Sequence, residues 1–306
     1  LKTGVQASAT TGREDFVSTD GAGNSGPGSS SGLKGHDVGV YVQDSYTPFE
    51  WMELRTGVRY DSHVAPFAGD QHQVSPRVKL SFFPNLSNTF YLYYGRQFIP
   101  TNIEDLRSIT TVSEGDTTST SPTLPERDDF YEVGYVHRFP AGIVWKLSGY
   151  LKNSSPGIDD NTIAGTAIVT SVNLGEVRVR GVETVLEVRP GGPLSGYLNF
   201  AVNHAYGRGP VTGGFFPTDV ADVPGGWFDL DHDQRISSVA SVVYSKSRFF
   251  ASATGIYGTG LANGAEITAP IGTGLFDFNS DIHVDPRYII NGALGYSLIV
   301  GGTVVR

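Results

Sequence analysis

The chain has 306 residues and a net charge of −9, which argues against nucleic acid as a partner. It holds no cysteine and therefore no disulfide framework. Charged residues make up 17%, below the roughly 25% of an average soluble domain, and no apolar run approaches the roughly 18 residues of a transmembrane helix, so a helical membrane protein is excluded.

Twelve stretches of alternating polar and apolar residues follow one another, joined by connections that alternate between short and long. The short ones are expected around Pro48–Glu50, Asn85–Ser87, Pro140–Gly142, Pro190–Leu194, Lys246–Ser247 and Val300–Gly301. The long ones are expected at Thr11–His36, His63–His72, Ile99–Asp128, Ser154–Gly165, Gly207–Asp233 and Thr259–Asp285. This rhythm is that of an antiparallel transmembrane β-barrel, with tight turns on the periplasmic side and long loops outside. A mean hydropathy of −0.14 fits, because such a barrel places only every second residue in lipid. The first stretch begins at Leu1 with no initiator methionine or signal peptide, and another begins near Gly302, so the sequence reads as a fragment. The Ser/Gly run Ser18–Gly35 reads as a loop tip between two strands.

Splitting each strand at period two assigns its faces. Val38, Val40 and Val42 oppose Gly39, Tyr41 and Gln43; Leu54 and Val58 oppose Glu53, Arg55, Arg59 and Asp61; Leu80 opposes Arg77 and Lys79; Leu198, Phe200 and Val202 oppose Asn199, Ala201 and Asn203. The apolar set predicts a lipid-facing band. Thr89–Phe98 is apolar or aromatic on both faces and is left without an assignment. Aromatic residues gather at strand ends (Tyr46, Phe49, Trp51, Phe82, Phe83, Phe139, Trp145), as interfacial girdles require. Thr166–Arg189 reads as one long strand, its outer half beyond the membrane. Its apolar phase changes from Val177 and Val179 to Val182, Thr184, Leu186 and Val188, which predicts a β-bulge at Gly181. Asp229, Asp231, His232 and Asp233 have the chemistry of divalent-metal ligands. An extended strand would point His232 away from Asp231 and Asp233, so a solvated start of a strand is the expectation.

Four segments resemble TonB-dependent outer-membrane receptors. Ser75–Phe82 followed by Tyr93-Tyr94-Gly95-Arg96-Gln97-Phe98 is similar to the family's strand pair ending in aromatic-Gly-Arg-x-Phe. Pro125-Glu126 with Tyr131-Glu132-Val133-Gly134 is similar to its P-E-x-x-x-x-Y-E-x-G pattern. Asn173–Glu183 resembles N-x-G-x-A-x-x-x-G-x-E, and Leu230–Arg235 is also found in many members. The resemblance implies an all-β, up-and-down barrel of 22 strands. This chain, residues 1–306, would supply about 12 strands as an open partial barrel, with no plug domain. It implies a bacterial outer-membrane receptor, a transporter rather than an enzyme, that takes up a scarce ligand with energy from the TonB complex through the missing plug. Its partners would be outer-membrane lipid, the TonB complex and a ligand that the sequence does not identify.

Arg55, Arg59 and Lys79, on the inner face with Glu53, Asp61 and Arg77, are candidates to contact an anionic ligand; alternatively they pair with one another and with the plug. Loops on a rigid scaffold carry recognition, and Gly207–Trp227, with Phe215, Phe216 and Trp227, is the first choice among them. No catalytic residue, metal ligand or cofactor motif is assigned: there is no cysteine to act as a nucleophile, and Gly258–Gly264 lacks a strand-to-helix context. Two other readings stay open: a passive porin with the same strand rhythm, and a secreted β-sandwich that binds or cleaves glycans.

Overall fold

Side chains that alternate in character must end on opposite faces of a sheet, and the sheet in turn must pair its own backbone. The computed structural model describes residues 1–16, 29–65, 69–101, 112–113, 116–117, 123–162, 169–189, 191–213, 225–262, 283–300 and 303–305. The chain begins with β1 (Lys2–Phe16), β2 (Ser29–Phe49), β3 (Met52–Ala65), β4 (Gly69–Asn85) and β5 (Asn88–Ile99). A small hairpin follows, β6 (Val112–Ser113) with β7 (Asp116–Thr117), then β8 (Glu126–Arg138), β9 (Ile143–Ser154), β10 (Gly157–Thr162) and β11 (Val169–Val188). The chain continues with β12 (Leu194–Thr212), β13 (Phe228–Asp229), β14 (Ile236–Lys246), β15 (Phe249–Gly258) and β16 (Arg287–Tyr296), and with a last hairpin of β17 (Leu298–Val300) and β18 (Thr303–Val305).

Twelve strands form one open antiparallel meander, β1-β2-β3-β4-β5-β8-β9-β11-β12-β14-β15-β16, to which β10 and β13 add at the outer end. Each strand of the path pairs with the next, as expected. Its edges among the described residues are β1 and β16. The strand expected near Gly302 is β18, and it pairs with β17 rather than with the sheet.

Several connections expected to be long are strand instead. Val64 pairs with Asp70 and Ala65 with Gly69, so only residues 66–68 join β3 to β4 and the short–long alternation breaks there. Likewise β1 runs to Phe16 and β2 starts at Ser29, within the run read as a loop tip. Outside the membrane a strand needs no apolar outward face, so a paired polar segment such as Asp70-Gln71-His72-Gln73 has the composition of a loop.

The register defines both faces. Tyr46, Leu54, Leu80, Leu92, Val133, Gly149, Val182 and Val202 stand side by side across eight strands, an uncharged row. One residue along, Ser45, Arg55, Lys79, Tyr93, Glu132, Tyr150, Gly181 and Asn203 form the opposite row. The nine residues of the expected band lie on the apolar face. The same register settles Thr89–Phe98: Phe90, Leu92 and Tyr94 point outward, and Tyr91 and Tyr93 inward. Long polar side chains on the inner face are crowded, with Arg59 and Lys152 only 24% and 25% exposed, while Val133 on the other face is 57% exposed. Crowding on one side and splaying on the other makes the polar face concave. Tyr91 lies across Gly134 here, where a Cβ would sit 2.1 Å from the ring.

At the short-turn end Phe49 stacks on Trp51 at 5.0 Å and Trp51 on Phe82 at 6.3 Å, an aromatic girdle where one was expected. The bulge, however, is not at Gly181, since Arg180, Gly181 and Val182 pair without interruption with His204, Asn203 and Val202. The register shifts between Leu174 and Glu176, where Gly175 faces Gly209 and Pro210, and a Cβ there would lie 2.6 Å from the Gly209 carbonyl oxygen. Proline has no N–H to give a ladder, so this is where a bulge accommodates it. The apparent phase change along β11 has a different origin. Val182 and Leu186 face outward, whereas Val177 faces inward and is buried against Phe228 and Leu230. The chemistry of the two faces inverts along the strand while the backbone runs straight through.

Replacing Val58 by arginine places a guanidinium on the lipid face and should destabilise the membrane-embedded protein by about 2–4 kcal/mol. Denaturant unfolding in lipid bilayers measures this; an unchanged midpoint would contradict the face assignment.

Candidate functional site

On the inner face, charged residues at alternate positions of β3 and β4 come together because the strands are in direct register, Arg55 opposite Lys79 and Gly57 opposite Arg77. Two of the three inner-wall candidates are neutralised within their own strand. Arg55 Nε lies 2.9 Å from Glu53 Oε1, which also accepts from Ser45 Oγ at 2.8 Å. Arg59 Nε lies 2.6 Å from Asp61 Oδ1, and its guanidinium reaches Gln6 Oε1 at 3.4 Å. Lys79 instead sits over the Tyr91 ring, 4.1 Å from its centre. Among the described residues neither Lys79 nor Arg77 has a carboxylate within ion-pair distance. Both border a groove of about 420 Å³ that Lys2, Asp44, Arg55 and Tyr93 also line. Next to it the Tyr91 hydroxyl donates to Glu132, and nearer the outer end Lys152 is clasped by Glu126 at 2.6 Å and Asp128 at 3.4 Å. The sequence signal for this last group is Glu126-x-Asp128 on one face of β8, which alternation alone does not distinguish from a solvated pair.

Beyond the membrane the inner face carries a small apolar core: Val172, Leu174, Val177, Ala205, Val211, Phe228 and Leu230. The segment after β13 does not enter a strand in extended form, contrary to expectation. Leu230–Asp233 is a turn closed by Asp233 N–H to the Leu230 carbonyl at 2.9 Å. Asp233 is buried, not solvated; it accepts from the Ala205 N–H at 2.6 Å and pairs with Arg235, which also holds Asp229 at 2.6 Å. His204 Nε2 meets the same Asp229 at 2.7 Å. Asp229, Asp233 and His283 have donor atoms close enough to share an ion, but Arg235 already pairs with both carboxylates.

Of the loop candidates, Phe215 and Phe216 lie outside the described residues. Trp227 is placed on the outward face, its ring between Arg178 at 4.5 Å and Arg208 at 5.0 Å and edge-on to Tyr206.

The turn also brings Asp231 and His232 to the same side, against expectation, and both meet Asp159 of β10; the three donor atoms lie within 4.8 Å of one another. His232 Nδ1 is 2.9 Å from Asp231 Oδ1 and 3.5 Å from Asp159 Oδ1. Burial pushes the Asp159 carboxyl up to about 7, opposed by the positive charge of His232. The hydrogen bond to Asp231 raises His232 above its ordinary value. Both groups therefore hold a proton more tightly in the folded chain than in an unfolded one. Their stabilisation is complete in acid, and that of Asp159 is lost as pH rises through about 7. Hydrogen exchange of the Ile158 and Asp160 amides, corrected for intrinsic rates, should show protection falling between about pH 4 and pH 7. Asp159→Asn should flatten that dependence; a flat profile in the unaltered protein would contradict it.

The model of the family described as TonB dependent receptor-like, beta-barrel, matches residues 3–302. No curated protein sequence matches the chain significantly. Among solved structures, the copper transporter OprC is similar at 16% identity and a TM-score of 0.65, over 95% of this chain and 45% of its own. The ferric yersiniabactin uptake receptor FyuA from Yersinia pestis is similar at 12% identity and a TM-score of 0.66, over 96% and 43%. The ferric-catecholate import receptor Fiu from K12 E. coli is similar at 14% identity and a TM-score of 0.63, over 96% and 45%. The chain thus spans less than half the length of these relatives. With the register, the two-faced sheet and the family match together, the chain belongs to the TonB-dependent receptor β-barrel family of the bacterial outer membrane.

Proposed function

We propose that the chain is barrel wall in an outer-membrane receptor that imports a scarce ligand with energy from the TonB complex, and that residues 1–306 act as one barrel unit around a plug. The observation that supports this reading best is the inner wall at β3 and β4. There, among the described residues, neither Arg77 nor Lys79 has a carboxylate within ion-pair distance, in a groove where Asp44 is the lining carboxylate, and a buried or half-buried cation is costly unless something neutralises it. An anionic ligand, or an acidic surface of the plug, supplies that charge. Solved relatives named for copper transport and for ferric-catecholate and ferric yersiniabactin uptake are consistent with a metal or an anionic metal chelate as cargo.

Lys79 is the strongest of the inner candidates, since Arg55 and Arg59 are held by Glu53 and Asp61 and would contact a ligand only by exchanging partners. In the outer connections Phe215 and Phe216 are candidates for ligand contact, and Trp227 is one for a ligand approaching the outer rim.

The test is ligand uptake by the receptor in cells, with and without the proton gradient that drives TonB. Uptake should stop when the gradient is collapsed, and the double substitution Arg77→Glu with Lys79→Glu should lower it about tenfold or more, as charge reversal at a charge-recognising site does. Flux that persists without the gradient would instead make the chain part of a passive porin. Uptake unchanged by the double substitution would remove the inner wall from the mechanism.

A further inference from the structure

Two groups of side chains beyond the membrane have the donor set of a metal site, and their surroundings differ. Around Asp229 and Asp233 the guanidinium of Arg235 pairs with both carboxylates, so a cation is already built in. Around Asp159 and Asp231 it is not: among the described residues neither carboxylate has a lysine or arginine within ion-pair distance. Their one cationic neighbour is His232, whose imidazole carries at most one positive charge against two negative ones. Asp159 is only 9% exposed and stands opposite Val172 of the outer apolar core, so water screens it little. Two carboxylates this close, one of them buried, call for a cation.

The spacing fits one. His232 Nδ1 lies 2.9 Å from Asp231 Oδ1 and 3.5 Å from Asp159 Oδ1. A tetrahedral ion with ligand bonds of about 2.0–2.2 Å sets its ligand atoms roughly 3.3–3.6 Å apart, so small side-chain rotations close the set. The donors come from two separate connections. Asp159 belongs to β10, which adds to β11 at the outer end, and Asp231 and His232 belong to the turn between β13 and β14. Among the described residues the only hydrogen bond or ion pair from β10 to that turn is the contact of Asp159 with His232. His232 and Asp231 are 59% and 47% exposed, which leaves an entry path and a coordination position open to water.

We propose that Asp159, Asp231 and His232 bind one divalent transition-metal ion of the zinc type, which fastens β10 to the turn between β13 and β14. Two carboxylate oxygens and one imidazole nitrogen suit a borderline ion. Calcium and magnesium instead take sets of six or more oxygens. A dication balances both carboxylates while the imidazole is neutral, with Nδ1 on the metal and the ring proton on Nε2. Such an ion is held whichever ligand the receptor imports, so uptake is not its readout.

The experiment is hydrogen exchange of the full receptor in detergent micelles, stripped with chelator and titrated with Zn²⁺ at constant pH, with calorimetry alongside. One equivalent should bind in the micromolar range or tighter. Protection of the Asp160 and Asp233 amides, one on each side of the junction, should rise together about tenfold or more at saturation. His232→Gln and Asp231→Asn, both at exposed side chains, should each weaken binding about tenfold or more and abolish the joint protection. His283→Gln, in the group already paired with Arg235, should change neither, and millimolar calcium or magnesium should not reproduce the effect. A chelator-stripped protein that gains no protection with Zn²⁺ would mean that the three residues form an ion pair only and would overturn the assignment. Protection that survives in His232→Gln and Asp231→Asn, that is lost in His283→Gln, or that calcium produces equally well would overturn it too.

Discussion

Hydrocarbon offers no partner to a peptide N–H or C=O, and that constraint shapes everything else in this chain. A sheet that crosses a bilayer has to pair every strand with a neighbour, and the cheapest way to do so along a chain is to pair each with the next. The twelve-strand meander is that solution. Once the backbone is committed, period two leaves one side chain in lipid and the next in the interior. The row from Tyr46 to Val202 and the row from Ser45 to Asn203 are therefore two sides of one decision, one residue apart.

The lipid also ends, and the strands do not. Above the band β11 and β12 continue into water, where the outward face carries Glu176, Arg178 and Arg208 and the inward face packs Val177 and Ala205 under Phe228 and Leu230. The sign of the amphipathic pattern reverses because the apolar medium has changed sides, from lipid outside to a protein cluster inside. Buried Asp233 with Arg235 closes that cluster by taking the Ala205 N–H, so the Leu230–Arg235 motif is a structural clasp between β12 and β14.

What alternation could and could not convey follows from this. Inside the band the faces of β2, β3, β4 and β12 were legible residue by residue, because lipid enforces apolarity at every second position. Outside it polar strand and polar loop have the same composition, so β4 below Val74 and the ends of β1 and β2 read as loops. The inversion on β11 looked like a slip at Gly181, whereas the real bulge at Gly175 and Pro210 sits where both faces are covered and alternation carries no information. The candidate site was legible to the same degree. Inward placement of Arg55, Arg59 and Lys79 follows from parity. That Glu53 and Asp61 occupy the two arginines while Lys79 turns to Tyr91 depends on rotamers and cross-strand neighbours. Asp159 meeting His232 joins residues 73 positions apart, and no local pattern reports it.

The central claim is that one straight strand presents lipid, then water, on the same face. Since the chain contains no cysteine, single cysteines can be placed along β12 and labelled with a fluorophore in bilayers of brominated lipid. Labels at Leu198, Phe200 and Val202 should be strongly quenched, labels at Asn199, Ala201 and Asn203 should not, and labels at His204 and Tyr206, although they face outward, should not be quenched either. Quenching that is uniform along the strand, or that continues through Tyr206, would contradict the account.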